Sequence, residues 1–333
     1  MVTIKEVALD AGVAVGTVSK VLNGQHVSEK NRIKVENSVK KLGYQMNFYA
    51  RGLKTKNTYT VAAIVPEVLN PFFAIWVYYI EQELYKNGYK LLLCNTQGMI
   101  EKEEYYFRMA EQNKVDGIIC VTYQDVEPYI SESIPLISLD RHFHKKISCI
   151  CSDNYHGGEL AAEKMISTGS RNLLYLRTGS EISGETLKRG KGFEDYCKAH
   201  GVPCHTLNLG DDFDALRKGS SSLDDVLREF VISARKTGKM RYDGIYASTD
   251  LLAKILLEQL QFLGVKVPDE VQIVGHDGIR WMNRDKYVVS TIVQPIPEMA
   301  QKSVELLLKK IRGEKIEILT TLPVSFAEGG TTR

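Results

Sequence analysis

Apolar positions in the first forty residues recur at helical spacing in three short segments. Ile4, Val7, Ala8 and Ala11 fall on one face of a first helix. Thr3 precedes it and Glu6 follows three residues on, which predicts a capping box in which each residue serves the other's backbone amide. Gly12 supplies the residue that tolerates a left-handed backbone where the chain reverses. A second helix is expected over residues 15–23, with Val18, Val21 and Leu22 apolar and Gly24 past its end. Ser28 is placed to cap a third, running to Leu42 with Val35, Ser38, Val39 and Leu42 on one side. Helix, glycine-bearing turn, helix is the helix-turn-helix arrangement.

From Tyr59 the pattern becomes short apolar runs alternating with amphipathic segments. Strands are expected at residues 60–65, 89–95, 117–122, 135–139 and 148–152, with helices over 72–87 and 101–114. A second set follows: strands 172–176, 204–209, 243–247 and 271–275, and helices 156–168, 190–200, 224–237 and 250–263. Near-continuous apolar strands separated by helices imply parallel sheets covered on both faces. Two doubly wound units in tandem would set the carboxyl ends of both sheets around one crevice. A strand at 291–295, a helix over 296–312 and a last strand at 321–326 are expected to return to the first unit.

Composition adds little until charge is resolved along the chain. Residues 1–60 hold ten Lys and Arg against four Asp and Glu, a net of +6; the whole chain totals +2, so the remainder carries −4. A positive field confined to the first sixth is the electrostatic footprint of a nucleic-acid-binding head. On the second helix, Val15, Gly16 and Lys20 would face a major groove, with Thr17 and Ser19 offering hydroxyls to phosphate or base edges. No long uninterrupted apolar run and no apolar leader are seen, so a cytoplasmic protein without a membrane span is expected. Six cysteines without a CxxC pair fit reduced, buried thiols. Cys149 and Cys151 lie near His142 and His144, but structural metal sites show tighter paired spacing, so neither metal nor cofactor is expected.

The stretches VTIKEVALDAGVAVGTVSKVLNG and LGYQMNFYARGLKT resemble the lactose-repressor (LacI/GalR) family of bacterial transcription regulators, and matching elements continue to about residue 326. The resemblance implies an α/β fold: a helix-turn-helix head on a two-lobed core like the periplasmic binding proteins, with doubly wound parallel sheets. Its expected divisions are 1–46 for the head, 47–58 for a hinge helix or linker, and 59–333 for the core. Within the core the first lobe would take about 59–155 and 292–326, and the second about 156–291. Thr3, Asn23 and Tyr44 join the DNA-contacting residues by this resemblance. So do Asn47, Ala50 and Arg51 near the minor groove, and Leu53 as an apolar wedge between base steps. The partners implied are double-stranded DNA with a palindromic operator, a small-molecule effector, and a second copy of the chain.

The effector would lie where strand ends carry hydrogen-bonding groups. Asn70, Phe72 and Phe73 follow the first strand, Asp140 and Arg141 the fourth; Arg189 opens a helix, and Asp250 and Asp277 follow strands of the second unit. Carboxylates accept from adjacent hydroxyls, guanidinium donates in a fixed fork, and Phe72, Phe73 or Trp281 could stack on a ring face. These positions match the family's effector contacts. One of Phe72 and Phe73 is expected to face the ligand. Asp250 also has a reading as a helix cap, and Asp140–Arg141 one as a local ion pair. The set favours a sugar; a nucleobase-type ligand in a corepressor-dependent regulator is the alternative, as is a plain small-molecule-binding protein. An enzyme is disfavoured, because no dinucleotide fingerprint, P-loop or nucleophile elbow is present.

Overall fold

The computed structural model describes residues 2–22, 25–44, 57–143, 147–179, 184–210, 223–236, 238–280 and 286–333. It separates into two compact units, 1–58 and 59–333. Asn23, Asn47, Ala50, Arg51, Leu53 and Trp281 lie outside the described residues, as does nearly all of the expected hinge.

In the first unit, helices α1 (Ile4–Ala11), α2 (Val15–Leu22) and α3 (Glu29–Leu42) enclose a small core of Val7, Ala8, Ala11, Val18 and Val35. The capping box forms: the Glu6 amide donates to Thr3 Oγ1 at 3.3 Å, and the Thr3 amide to Glu6 Oε2 at 2.7 Å. Gly12 takes the left-handed conformation, φ 62°, and turns the chain into α2. Ser28 occupies the position before α3, but its side chain makes no capping hydrogen bond. Ser38 points to Asp10 on α1, and Lys41 pairs with the same carboxylate at 2.6 Å, so α1 and α3 are tied at their polar edge.

The second unit holds two six-stranded sheets. The first runs in the order β13-β5-β4-β3-β1-β2, with β1 Thr60–Val65, β2 Lys90–Asn95, β3 Gly117–Cys120, β4 Leu136–Leu139, β5 Ser148–Ser152 and β13 Leu319–Leu322, all parallel. Helices α4 (Pro71–Lys86) and α10 (Ile296–Ile311) cover one face with Trp76, Ile80, Leu84, Met299 and Leu307. Helix α5 (Ile100–Gln112) covers the other with Phe107 and Ala110. Burial on both faces is why the central strands β1, β3 and β4 read as apolar runs, whereas the edge strands β2 and β13 stay partly exposed.

The second sheet runs β14-β12-β11-β10-β6-β7, with β6 Leu173–Arg177, β7 Cys204–Asn208, β10 Gly244–Ala247, β11 Gln272–Asp277, β12 Ser290–Val293 and β14 Ser325–Ala327. Helices α6 (Asn154–Ser167) and α7 (Lys188–Ala199) pack on one side; α8 (Leu223–Ala234) and α9 (Asp250–Phe262) on the other. A two-strand ribbon, β8 Arg235–Lys236 and β9 Lys239–Met240, follows α8, so that helix ends three residues before the expected 237.

The expected lobe boundaries need correction. β12 pairs with β11 and so belongs to the second sheet, and only α10 and β13 return to the first. The single strand expected at 321–326 is two: Pro323 has no N–H for a ladder, and β14 beyond it joins the second sheet antiparallel to β12. Beyond β14 the chain is pinned to the second sheet: the Ile273 amide donates to Thr331 O at 2.9 Å and the Ser290 amide to Thr331 Oγ1 at 2.8 Å.

Candidate functional site

At the carboxyl ends of both sheets lies a cleft to which each lobe contributes. From the first come Glu67, Asn70, Phe72, Phe73, Tyr123, Gln124 and Asp140; from the second, Tyr175, Arg177, Thr178, Gly179, Thr186, Leu187, Arg189, Ser248, Thr249 and Asp277. Asn70 caps α4, its Oδ1 accepting the Phe72 amide at 3.0 Å, and this fixes the helix start that presents Phe72 and Phe73. Both rings border the cleft, 5.3 Å apart and edge to face, rather than one of the two. A carboxylate stands on either side: Asp140 after β4 and Asp277 at the end of β11. Both hold positive φ, 56° and 128° respectively. Non-glycine residues keep such conformations only where the surroundings over-determine them, commonly at ligand sites.

Arg189 joins the two. It is buried at the start of α7, donates from Nε to Asn154 Oδ1 at 2.6 Å and from Nη1 to Ser248 O at 2.7 Å, and lies 3.8 Å from Asp277 Oδ1. Asn154 passes the contact on, its Nδ2 donating to Asp140 Oδ1 at 3.3 Å. Burial works against the guanidinium charge, and Asp277 and Asp140 outweigh it. Burial pushes Asp140 up to about 6, opposed by Arg189 and Asn154, and it raises Asp277 as well. The cleft sets Glu67, Asp140 and Asp277 against Arg177 and Arg189, an arrangement of acceptors and donors that suits a ligand bearing hydroxyls.

Two expected contacts are not on the cleft. Arg141 follows Asp140 and projects to the other side of the strand end, its guanidinium 5.6 Å from the Phe143 ring centre and its Nε buried without a hydrogen bond. It makes no local ion pair with Asp140 among the described residues. Asp250 is fully buried at the first position of α9 and turned under β11, where Oδ2 accepts the Ile279 amide at 2.6 Å. The cap it was expected to offer comes from Thr249, whose hydroxyl accepts the Leu252 amide at 3.2 Å and which lines the cleft itself. Asp250 instead braces the loop beyond Asp277.

The strand-end reasoning missed Asn154 and Gln294, although both stand at a strand-to-helix boundary. Gln294 donates to Asp277 Oδ1 at 2.8 Å and accepts from Ser152 Oγ at 2.7 Å. Tyr175 had no signal, since an aromatic inside an apolar strand reads as core. Among the described residues no cluster of three or more His, Cys, Asp or Glu is arranged to hold a metal, and no helix is long and apolar enough to cross a membrane.

On the head, Val15, Gly16 and Lys20 are exposed along α2, with Thr17 and Ser19 half-buried beside them. Val18, fully buried, anchors the opposite face. The Thr3 hydroxyl is engaged in the cap, donating to Glu6 Oε2 at 2.8 Å. Tyr44 packs half-buried against the head core, its amide bonded to Val39 O at 3.0 Å.

A basic helix-turn-helix unit followed by a two-lobed core with a ligand-sized cleft defines a class: DNA-binding regulators governed by a small molecule. Residues 3–47 match the bacterial regulatory proteins of the lacI family, and residues 58–317 match the periplasmic binding proteins and sugar binding domain of LacI family. The chain belongs to the LacI family, whose members of known role here are transcriptional repressors. It is 33% identical over 332 residues to the sucrose operon repressor of Pediococcus pentosaceus, covering 98% of each chain. It is equally 33% identical, over 339 residues, to the ribose operon repressor of Bacillus subtilis, covering 100% of this chain and 99% of the other. A LacI-type regulator from Alkaliphilus metalliredigens, crystallised with D-xylulofuranose, superposes with TM-score 0.68 at 30% identity, over 83% of this chain and 99% of the other.

Proposed function

We propose that this regulator binds a sugar between Asp140, Arg189 and Asp277, and that the sugar sets its affinity for a palindromic operator gripped by two copies of the chain. The supporting observation is the pair of buried carboxylates bridged through Arg189 and Asn154 in a cleft walled by Phe72, Phe73, Tyr123 and Tyr175. Adjacent hydroxyls donate to the carboxylates, the guanidinium donates back, and the ring faces cover the apolar side of a pyranose or furanose. Thr249 lines the same cleft, with its hydroxyl oxygen already accepting the Leu252 amide. In the head, α2 presents Val15, Gly16 and Lys20 to the major groove, and two heads related by a dimer axis read two half-sites.

Calorimetric titration with D-ribose, D-fructose, D-xylulose, sucrose and adenine is the direct test, paired with gel retardation of the promoter fragment upstream of its own gene. One or more sugars should bind and change retardation. Asp277→Ala should weaken that binding by a hundredfold or more, on the order expected for a buried charged hydrogen-bond partner, and abolish the response while leaving retardation without sugar intact. Binding of adenine alone, or an unaltered response in the variant, overturns the reading.

A further inference from the structure

The rim of the cleft carries a contact between lobes that the ligand itself does not require. His142 belongs to the first lobe, in the connection from β4 to β5; Glu185 opens the short 3-10 turn Glu185–Leu187 of the second lobe, between β6 and α7. Their side chains meet at 2.5 Å, from His142 Nε2 to Glu185 Oε1. Lys188 Nζ approaches the same oxygen at 2.8 Å, and the Glu185 amide donates across the gap to Asp140 O at 2.9 Å. Glu185 is 4% exposed although charged, whereas the His142 side chain is 45% exposed. Gly184 allows the close approach: a Cβ there would stand 3.0 Å from Asp140 O.

We infer that His142 and Glu185 form a latch that fixes the separation of the two lobes and so positions Asp140 against Arg189 for the ligand. The geometry of the chain makes the link short. Asp140 lies two residues before His142 and Arg189 four residues after Glu185, so each latch residue is joined almost directly to a ligand-facing residue of its own lobe. A ligand held from both sides is bound tightly only at one lobe separation, and a contact that maintains that separation spares the ligand the cost of imposing it. Both residues are positioning residues. Lys188 shares the lobe of Glu185, so it compensates the buried carboxylate without contributing to the latch.

This inference rests on the sugar reading, and its test separates the two. In titrations of the full-length chain with D-ribose, D-fructose, D-xylulose and sucrose, H142Q and E185Q should each weaken sugar binding about five- to tenfold, the scale of ordinary coupling between sites. The double variant should be no weaker than E185Q alone, because either change opens the same latch. E185D should recover part of the loss, and the melting temperature of H142Q without sugar should stay within about 2 °C of the unaltered chain, since His142 is itself half-exposed and Lys188 still compensates the Glu185 carboxylate. Equal binding by all variants, or losses that multiply in the double variant, overturns the latch. Should the unaltered chain bind none of these sugars, the sugar reading falls and the latch is judged by hydrogen exchange instead. Peptides covering 138–143 and 184–188 must then exchange faster in H142Q, and unchanged exchange overturns it.

Discussion

Asp140 and Asp277 show how a side chain is held in a state that water would not favour. Both sit in left-handed backbone, both are nearly fully buried, and each faces Arg189. For Asp140, burial dominates and lifts the carboxyl from 3.8 to about 6, despite the opposing pull of Arg189 and Asn154. The folded chain therefore holds this proton more tightly than the unfolded chain does. Its contribution to stability is complete below pH 4 and declines as pH rises through about 6, by roughly 3 kcal/mol at 1.36 kcal/mol per unit. Sugar binding runs the other way, because the ionised carboxylate is the better acceptor for hydroxyls. Sugar affinity measured calorimetrically from pH 5 to 8 should rise across pH 6 and become flatter in Asp140→Asn; identical profiles in the two proteins would refute this assignment. At this scale the sequence was a partial guide. Strand ends pointed to Asp140, Arg189 and Asp277, but the same rule took in Arg141 and Asp250. Asp140 turns inward through a left-handed backbone and Asp250 is the first residue of α9, so neither direction follows from the alternation of an extended strand, and sequence alone does not say which residue of such a pair meets the cleft.

Between elements, the closest fit is where α6 crosses α7, the helix that carries Arg189. A Cβ on Gly158 would stand 2.1 Å from Arg189 O, and one on Gly192 would stand 2.0 Å from Tyr155 O. Backbone meets backbone at both points, so neither side can yield by changing a rotamer. Gly192→Ala should accordingly cost about 2–3 kcal/mol and lower the melting temperature by roughly 5–10 °C. It should also weaken sugar binding, because the start of α7 moves with the displaced helix; an unchanged melting curve would show that the helices separate freely. Elements themselves were largely readable. Strands β1 and β5 fall where their unbroken apolar runs stand, and α9 starts at the expected residue. Sheet membership was harder to read. The run Ser290–Val293 marks a strand but carries no information about its neighbour, which pairing over long sequence separation decides. Pro323 was the available clue that 321–326 could not be one strand.

At the scale of the molecule, the chain passes from lobe to lobe after β5, after β12 and after β13, and one hydrogen-bonded strap spans the first two passages. Ser152 ends β5, Gln294 follows β12, and their side chains are bonded at 2.7 Å. Gln294 also holds Asp277 Oδ1 at 2.8 Å, so a carboxylate lining the cleft is tied directly to two of the segments that join the lobes. Such a chain carries coupling only if it has two arrangements that ligand and operator bias differently. The strap would meet that requirement where a ligand took over the Asp277 oxygen, since the Gln294 amide would then be released and Ser152 would lose its fixed partner. Gln294→Leu removes the strap while keeping the side chain's bulk. It should leave operator retardation without sugar nearly unchanged and cut the sugar-induced change in operator affinity at least fivefold, as loss of about 1 kcal/mol of coupling implies. Sugar affinity itself should shift less than in Asp277→Ala, because the carboxylate remains. Retardation measured across a sugar gradient decides the matter, and a full response in Gln294→Leu would mean that the signal leaves the cleft by another route.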